Sequence, residues 1–214
     1  AAVIAGVLRL HPVGAPEVLA ERVTVGARAH GELLMPSVCA VLASAQVCMS
    51  ELEAVVCGAG PGPFTGLRVG MVTAAALGDA LSVPVYPVCS LDAIAHRAGV
   101  GSPLVVVSDA RRREVYWARY DACGTRVEGP HVSRPTELPL AGVSRVAGAV
   151  DALGELGALG MRVVVPPPYP DPAGLVAVVA PAVRAHAAPG PFTPLYLRRP
   201  DAVEPGPRKR VTSA

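Results

Sequence analysis

The residues best suited to bind a ligand or a partner form one uninterrupted block, GPGPFTGLRVG, from Gly60 to Gly70. Its glycines allow positive φ and close approach of a second backbone, whereas its prolines fix φ and remove amide donors. Such a stiff loop can present its remaining N–H groups, and the N-terminus of the following helix, to an anion or a protein. The residues of this predicted loop are Gly60, Pro61, Gly62, Phe64, Thr65, Gly66, Leu67 and Arg68.

Three positions in the block have specific expected roles. Thr65 offers a hydroxyl and is the expected N-cap of the helix. Arg68 would lie in the first helical turn, where a cation opposes the helix dipole, so we expect it to have a specific partner. Gly66 is expected to have positive φ, where a β-branched replacement would be strained.

Motifs of common enzymes and metal sites do not occur in the sequence. The only lysine is Lys209, so there is no GxxxxGK[ST] phosphate loop, and GxSxG is also absent. None of the five histidines has another four residues away, so a helical zinc site is unsupported. Asp92 and Asp109 are the best isolated carboxylates, and each is expected to cap a helix or shape a turn. We predict no catalytic residue and no metal ligand.

The elements around the block alternate between strand and helix. An apolar, valine-rich run at 52–59 predicts a buried strand before the loop, and the alanine-rich segment 69–81 predicts a helix after it. Another amphipathic helix is predicted at 30–45, and a hairpin at 104–120. This alternation favours α/β domains. The predicted domains are 1–100 and 101–200, followed by a flexible tail, 201–214.

Composition restricts the classes of function. The net charge of +2 over 214 residues is too small by itself to indicate nucleic-acid binding. The five cysteines are dispersed without CxxC spacing, which indicates reduced residues in a cytosolic protein. No uninterrupted apolar run is long enough to span a bilayer, so no membrane association is expected.

The block resembles the GPGSFTGLR signature of the bacterial TsaB (YeaZ) family, with Pro63 in place of serine. Three further segments carry the resemblance: HGELLMP from His30, DARRREVYWARYD from Asp109 and PLYLRRPDA from Pro194. They look most like actinobacterial members. The resemblance implies a two-domain actin/hexokinase-like α/β fold with mixed central sheets. Family members begin with an earlier strand ending in an Asp-Thr segment; nothing here matches it, so we expect that strand to be missing.

The resemblance implies a non-catalytic scaffold in tRNA modification. Such a subunit pairs with TsaD and works with the ATPase TsaE to form N6-threonylcarbamoyladenosine at position 37 of tRNAs that read ANN codons. ATP would be used by the complex, with no cofactor held by this chain alone, and tRNA would be met only through the complex, in the cytoplasm. Without TsaD the chain would form a homodimer. The alternatives are an actin-like ATPase, a glycoprotease-like peptidase or an independent tRNA-binding protein.

The resemblance also implies a partner surface on the helix that begins near His30 and on the helix after the block. Small residues on the second helix would let another backbone approach closely, while larger apolar residues on the first could belong either to the core or to the interface. The predicted interface residues are His30, Glu32, Leu34, Met35, Val38, Leu42, Met71, Ala74, Ala75 and Gly78.

Three consecutive arginines, Arg111 to Arg113, occupy the predicted hairpin turn. Such a group could contact tRNA phosphates. Arginines in a hairpin turn are more often solvated, so solvation is the expectation and phosphate contact the alternative.

Overall fold

The computed structural model of the chain describes residues 2–26, 30–148, 161–164 and 169–198. Strands and helices alternate in the first half of these ranges, as the sequence predicts, whereas strands dominate the second half. The predicted tail at 201–214 lies outside the described residues. In chain order the elements are β1 (Ala2–Arg9), β2 (Glu17–Val25), α1 (His30–Ala45), a 3-10 turn (Met49–Glu51), β3 (Val55–Gly60), α2 (Phe64–Leu81), β4 (Val85–Cys89), α3 (Ser90–Ala98), β5 (Leu104–Asp109), β6 (Val115–Tyr120), β7 (Arg126–Ser133), a second 3-10 turn (Pro135–Glu137), β8 (Arg145–Gly148), β9 (Arg162–Val164) and α4 (Pro172–Arg184).

Two small sheets form the first half of the described chain. β1 and β2 pair antiparallel, whereas β3 and β4 pair parallel. α1 covers the first sheet because its apolar residues recur at helical spacing, so that Val41 and Leu42 pack on Ala5 and Val7. α2 covers β3 in the same way and buries Met71 against it.

The second half contains a mixed sheet of five strands in the order β7-β6-β5-β8-β9. β5 is antiparallel to β6 but parallel to β8, and both of its faces are buried. Because side chains alternate along a strand, Val106 joins the core under α3, whereas Val105 and Val107 pack with Trp117 on the opposite face. The mixed α/β fold class is therefore confirmed, and the division into two domains stays a prediction.

The N-terminus of helix α4 contacts helix α3. Asp171 caps it, accepting a hydrogen bond from the Gly174 N–H at 2.8 Å, and the same carboxylate pairs with Arg97 Nε of α3 at 3.0 Å. A Cβ on Gly174 would lie 2.7 Å from the Ala93 carbonyl oxygen, so only glycine permits this crossing of α3 and α4. Within the described part of the chain, none of the helices has the length and apolar character needed to cross a membrane.

Candidate functional site

The glycine–proline loop is a tight junction between β3 and α2, and it is shorter than predicted. The helix begins at Phe64 rather than at residue 69, so Phe64 to Arg68, predicted as loop, lie in the first turns of α2. Among Gly60, Gly62 and Gly66, the glycines of the predicted loop, only Gly60 has a positive φ, of +93°. A Cβ at Gly60 would also lie 3.0 Å from Leu67 Cδ2, so the loop folds back on its own helix. The predicted cap at Thr65 is wrong, because Pro63 occupies the N-cap position and Thr65 is the second residue of α2.

Gly66 lies where the two helices of the predicted partner surface meet. Its φ lies outside the left-handed region, which contradicts the expected reason for glycine at this position. Instead, a Cβ on Gly66 would lie 3.1 Å from Cδ2 and Nε2 of His30, the first residue of α1. The N-termini of α1 and α2 therefore touch through an imidazole ring packed on a bare backbone.

Arg68 has the specific partner that its position in the sequence predicts. Its guanidinium carbon lies 3.8 Å from the centroid of the Phe64 ring, one helical turn earlier, and 5.7 Å from that of Tyr196. Arg68 Nε donates a hydrogen bond to Tyr196 Oη at 2.9 Å, and the two aromatic rings are 5.0 Å apart. Cation–π contacts at exposed sites contribute about 0.5–1 kcal/mol each, so the cluster favours this orientation of Arg68.

Tyr196 belongs to a segment that sequence reasoning did not connect with the loop. The Leu195 N–H donates to the Ala59 carbonyl at 2.8 Å, immediately before the loop, and Tyr86 Oη of β4 donates to the Ala187 carbonyl at 2.8 Å. Leu195 also packs against the core beneath α3. The aromatic and apolar residues of the PLYLRR segment indicated that it packs against the rest of the chain. Their spacing did not indicate that it packs beside the glycine–proline loop.

The outward face of α2 leaves a stripe of apolar and charged side chains exposed beside this cluster. Phe64, Arg68, Val72 and Asp79 recur at helical spacing on that face, together with Ala75 and Ala76, and all six are exposed. Val72 keeps 68% of its surface exposed, and Phe64 and Tyr196 keep 44% and 41%. Exposed large apolar side chains that adjoin one another on a soluble protein commonly mark a partner site.

The structure divides the predicted interface residues between core and surface. Leu42, Met71, Ala74 and Gly78 are buried within the chain itself, and a Cβ on Gly78 would lie 2.2 Å from Val85 Cγ2. Others lie on the surface or at its edge, where Glu32 and Ala75 are exposed and four are half-buried: His30, Leu34, Met35 and Val38. Their contact with a partner stays a prediction.

An open groove of about 500 Å³ continues the stripe at the C-terminal end of α2. It lies between that helix and the segment that precedes Tyr196, with Ala75 and Asp79 on one side and Phe192 on the other. Phe192 keeps 40% of its surface exposed. The exposed stripe and the groove thus meet along α2 at Ala75 and Asp79.

The isolated carboxylates have structural partners. Asp92 neither caps a helix nor shapes a turn, contrary to expectation. It accepts a hydrogen bond from Tyr120 Oη at 2.7 Å and lies 3.4 Å from Arg126 Nη1, so it connects α3 to the sheet. Burial raises the pKa of Asp92 although the tyrosine hydroxyl and the guanidinium both lower it. Asp109 accepts from the Arg111 N–H at 2.7 Å and shapes the turn after β5, as expected. Among the residues that the structure describes, no three His, Cys, Asp or Glu side chains lie close enough to hold a metal ion.

A family model matches most of the chain. Residues 17–165 match the model described as TsaD, tRNA N6-adenosine threonylcarbamoyltransferase. The chain is 54% identical over 201 residues to an uncharacterized protein of Mycobacterium tuberculosis, covering 94% of this chain and 89% of that protein. It is also 35% identical over 107 residues to the tRNA threonylcarbamoyladenosine biosynthesis protein TsaB of Bacillus subtilis, covering 48% of this chain and 45% of that protein.

Solved structures that resemble this chain carry the name YeaZ. YeaZ from Pseudomonas aeruginosa superposes with a TM-score of 0.70 at 27% identity, covering 91% of this chain and 94% of that one. A crystal structure of an uncharacterized protein with similarity to peptidase YeaZ, from the same organism, superposes with a TM-score of 0.72 at 28% identity over the same shares.

Proposed function

The chain belongs to the TsaB (YeaZ) family, and on that premise we propose that it acts in the biosynthesis of N6-threonylcarbamoyladenosine in tRNA. Relatives named for this pathway and neighbours named YeaZ support the role. Within the pathway we propose a non-catalytic scaffold that binds a TsaD-like subunit and increases its transfer of threonylcarbamoyl to adenosine 37, in the cytoplasm. ATP would be consumed by the complex, with a TsaE-like ATPase as the third subunit.

The observation that carries the scaffold role is the outward face of α2. It presents an arginine that lies over the exposed ring of Phe64 and donates a hydrogen bond to Tyr196, one helical turn from Val72, which is 68% exposed. Protein interfaces are enriched in aromatic residues and arginine at their centres, and the strongest contributors cluster there. We propose that a TsaD-like subunit covers this face, and that a second copy of the chain covers it when that subunit is absent.

Reconstitution tests the role directly. A TsaD-like and a TsaE-like subunit, ATP, threonylcarbamoyl-adenylate and an unmodified tRNA that reads an ANN codon are incubated with and without this chain. The modified nucleoside is then measured by mass spectrometry. We expect product formation to depend on the chain, and equal product in both mixtures would exclude the scaffold role.

The same preparation separates the scaffold from an enzyme. We expect the isolated chain neither to hydrolyse ATP nor to cleave peptides. Turnover by the isolated chain that persists after further purification would favour the ATPase or peptidase alternative. The name of one structural neighbour mentions similarity to a peptidase, which is the reason for testing peptide cleavage.

A further inference from the structure

The turn between β5 and β6 has an unusual backbone for the residues that form it. Arg111, Arg112 and Arg113 have φ of 63°, 57° and 61°, all in the left-handed region. This region is costly for residues with a Cβ and is ordinarily filled by glycine or asparagine. Side chains that persist in such a conformation are a reason to look for a function at that place.

The turn is held rigidly by its neighbours. Asp109 accepts the Arg111 N–H, the Glu114 N–H donates to the Arg111 carbonyl at 3.1 Å, and the Ala110 N–H donates to the Glu114 carbonyl at 3.0 Å. From the segment that also carries Tyr196, Arg198 donates to the Ala110 carbonyl at 2.8 Å. The three arginines therefore project from a fixed base rather than from a loose loop.

The local charge is positive because arginines outnumber the acids around the turn. Glu114 forms an ion pair with Arg198, and Asp109 accepts a backbone N–H of the turn. Arg112 already makes an interaction within the chain. Among the residues that the structure describes, Arg111 and Arg113 are exposed and have no ion pair with an acid.

We propose that this arginine turn binds phosphate groups of the tRNA backbone. Guanidinium groups bind phosphate through two parallel hydrogen bonds, and a fixed base reduces the ordering cost of binding. The choice of tRNA as the polyanion rests on the proposed function, in which the complex presents tRNA to this chain. The competing outcome is that the arginines of this turn are only solvated and bind no ligand.

Substitution by asparagine removes the charge and suits the backbone. Arg111→Asn/Arg113→Asn keeps residues that tolerate positive φ, so we expect its thermal midpoint to be unchanged or higher than that of the wild type. The matched control, Arg22→Asn/Arg162→Asn, removes the same two charges from exposed positions on β2 and β9.

Salt dependence of binding gives the readout. Fluorescently labelled tRNA transcript is titrated with the chain, alone and with a TsaD-like subunit, at several salt concentrations. Each lost phosphate contact should make the slope of log K against log salt shallower by about 0.7–0.9, so the turn variant should lose about 1.4–1.8 and the control far less. Equal slopes for the turn variant and the control would overturn the proposal, as would no tRNA binding in either preparation.

The two proposals fail separately. If the slope changes as expected but modification does not need the chain, the phosphate site stands and the scaffold role falls. If modification needs the chain and the slope is unaffected by the turn variant, the scaffold role stands and the arginine turn is only solvated.

Discussion

Val72→Glu on α2 is the sharpest test of the proposed partner surface. Complete burial of a valine side chain contributes about 1.5–3 kcal/mol, and 68% of Val72 is still exposed in the isolated chain. A partner that covers the remainder should therefore gain about 1–2 kcal/mol from this side chain, or about 5- to 30-fold in Kd. The glutamate also has to lose water on association, which makes this a lower limit for the loss.

The substitution should leave the fold intact, because Val72 points to solvent. Circular dichroism checks the fold, sedimentation measures self-association, and calorimetry measures binding to a TsaD-like subunit. Val100→Glu is the matched control, since Val100 is 69% exposed but follows α3, beside the Gly124 turn. Val38 is a poorer probe, because it is half-buried against the core under α1.

A folded Val72→Glu protein whose two dissociation constants match those of the Val100→Glu control would exclude the outward face of α2 as the partner surface. If Val72→Glu loses TsaD binding while self-association is unchanged, the outward face of α2 binds the TsaD-like subunit but does not bind a second copy of the chain.

Three further predictions concern stability and reactivity. Gly66→Val should cost about 1–3 kcal/mol in urea unfolding through overpacking on His30, and adding His30→Ala should recover part of the loss; equal costs in both backgrounds would show that the ring is not the obstacle. Because burial raises the pKa of Asp92, its ionisation lowers stability at neutral pH, and this cost decreases as the carboxylate is protonated. The free energy of unfolding of the wild type, measured relative to that of Asp92→Asn, should therefore rise as the pH falls from about 7 to about 4. A difference that does not change with pH would contradict the raised pKa. Burial raises the pKa of Cys57 to about 11 and that of Cys89 in the same direction, so both should react with a thiol reagent only after denaturation, whereas fast labelling of either in the native chain would contradict their burial. The cysteines expected to react in the native chain are the exposed ones: Cys39, Cys48 and Cys123.

Hydrophobic spacing and turn residues predicted the strand, loop and helix around the block, because these signals are local along the chain. The same local signals gave three wrong details. They placed the start of the helix at residue 69, whereas α2 begins at Phe64. Thr65 has the chemistry of a cap, but Pro63 already occupies that position at the end of the loop. Gly66 was explained by backbone conformation, whereas the structure places a ring from another helix against it.

The sequence by itself determined the α/β class, the family resemblance and the expectation that Arg68 has a partner, since a cation in a first helical turn needs another reason to be there. Only the tertiary structure decided which partner, because Tyr196 is 128 residues away and no periodic pattern connects the two. It also decided the exposed face of α2. Met71 and Val72 are adjacent apolar residues, yet one is 4% exposed and the other 68%, because β3 covers only one side of the helix.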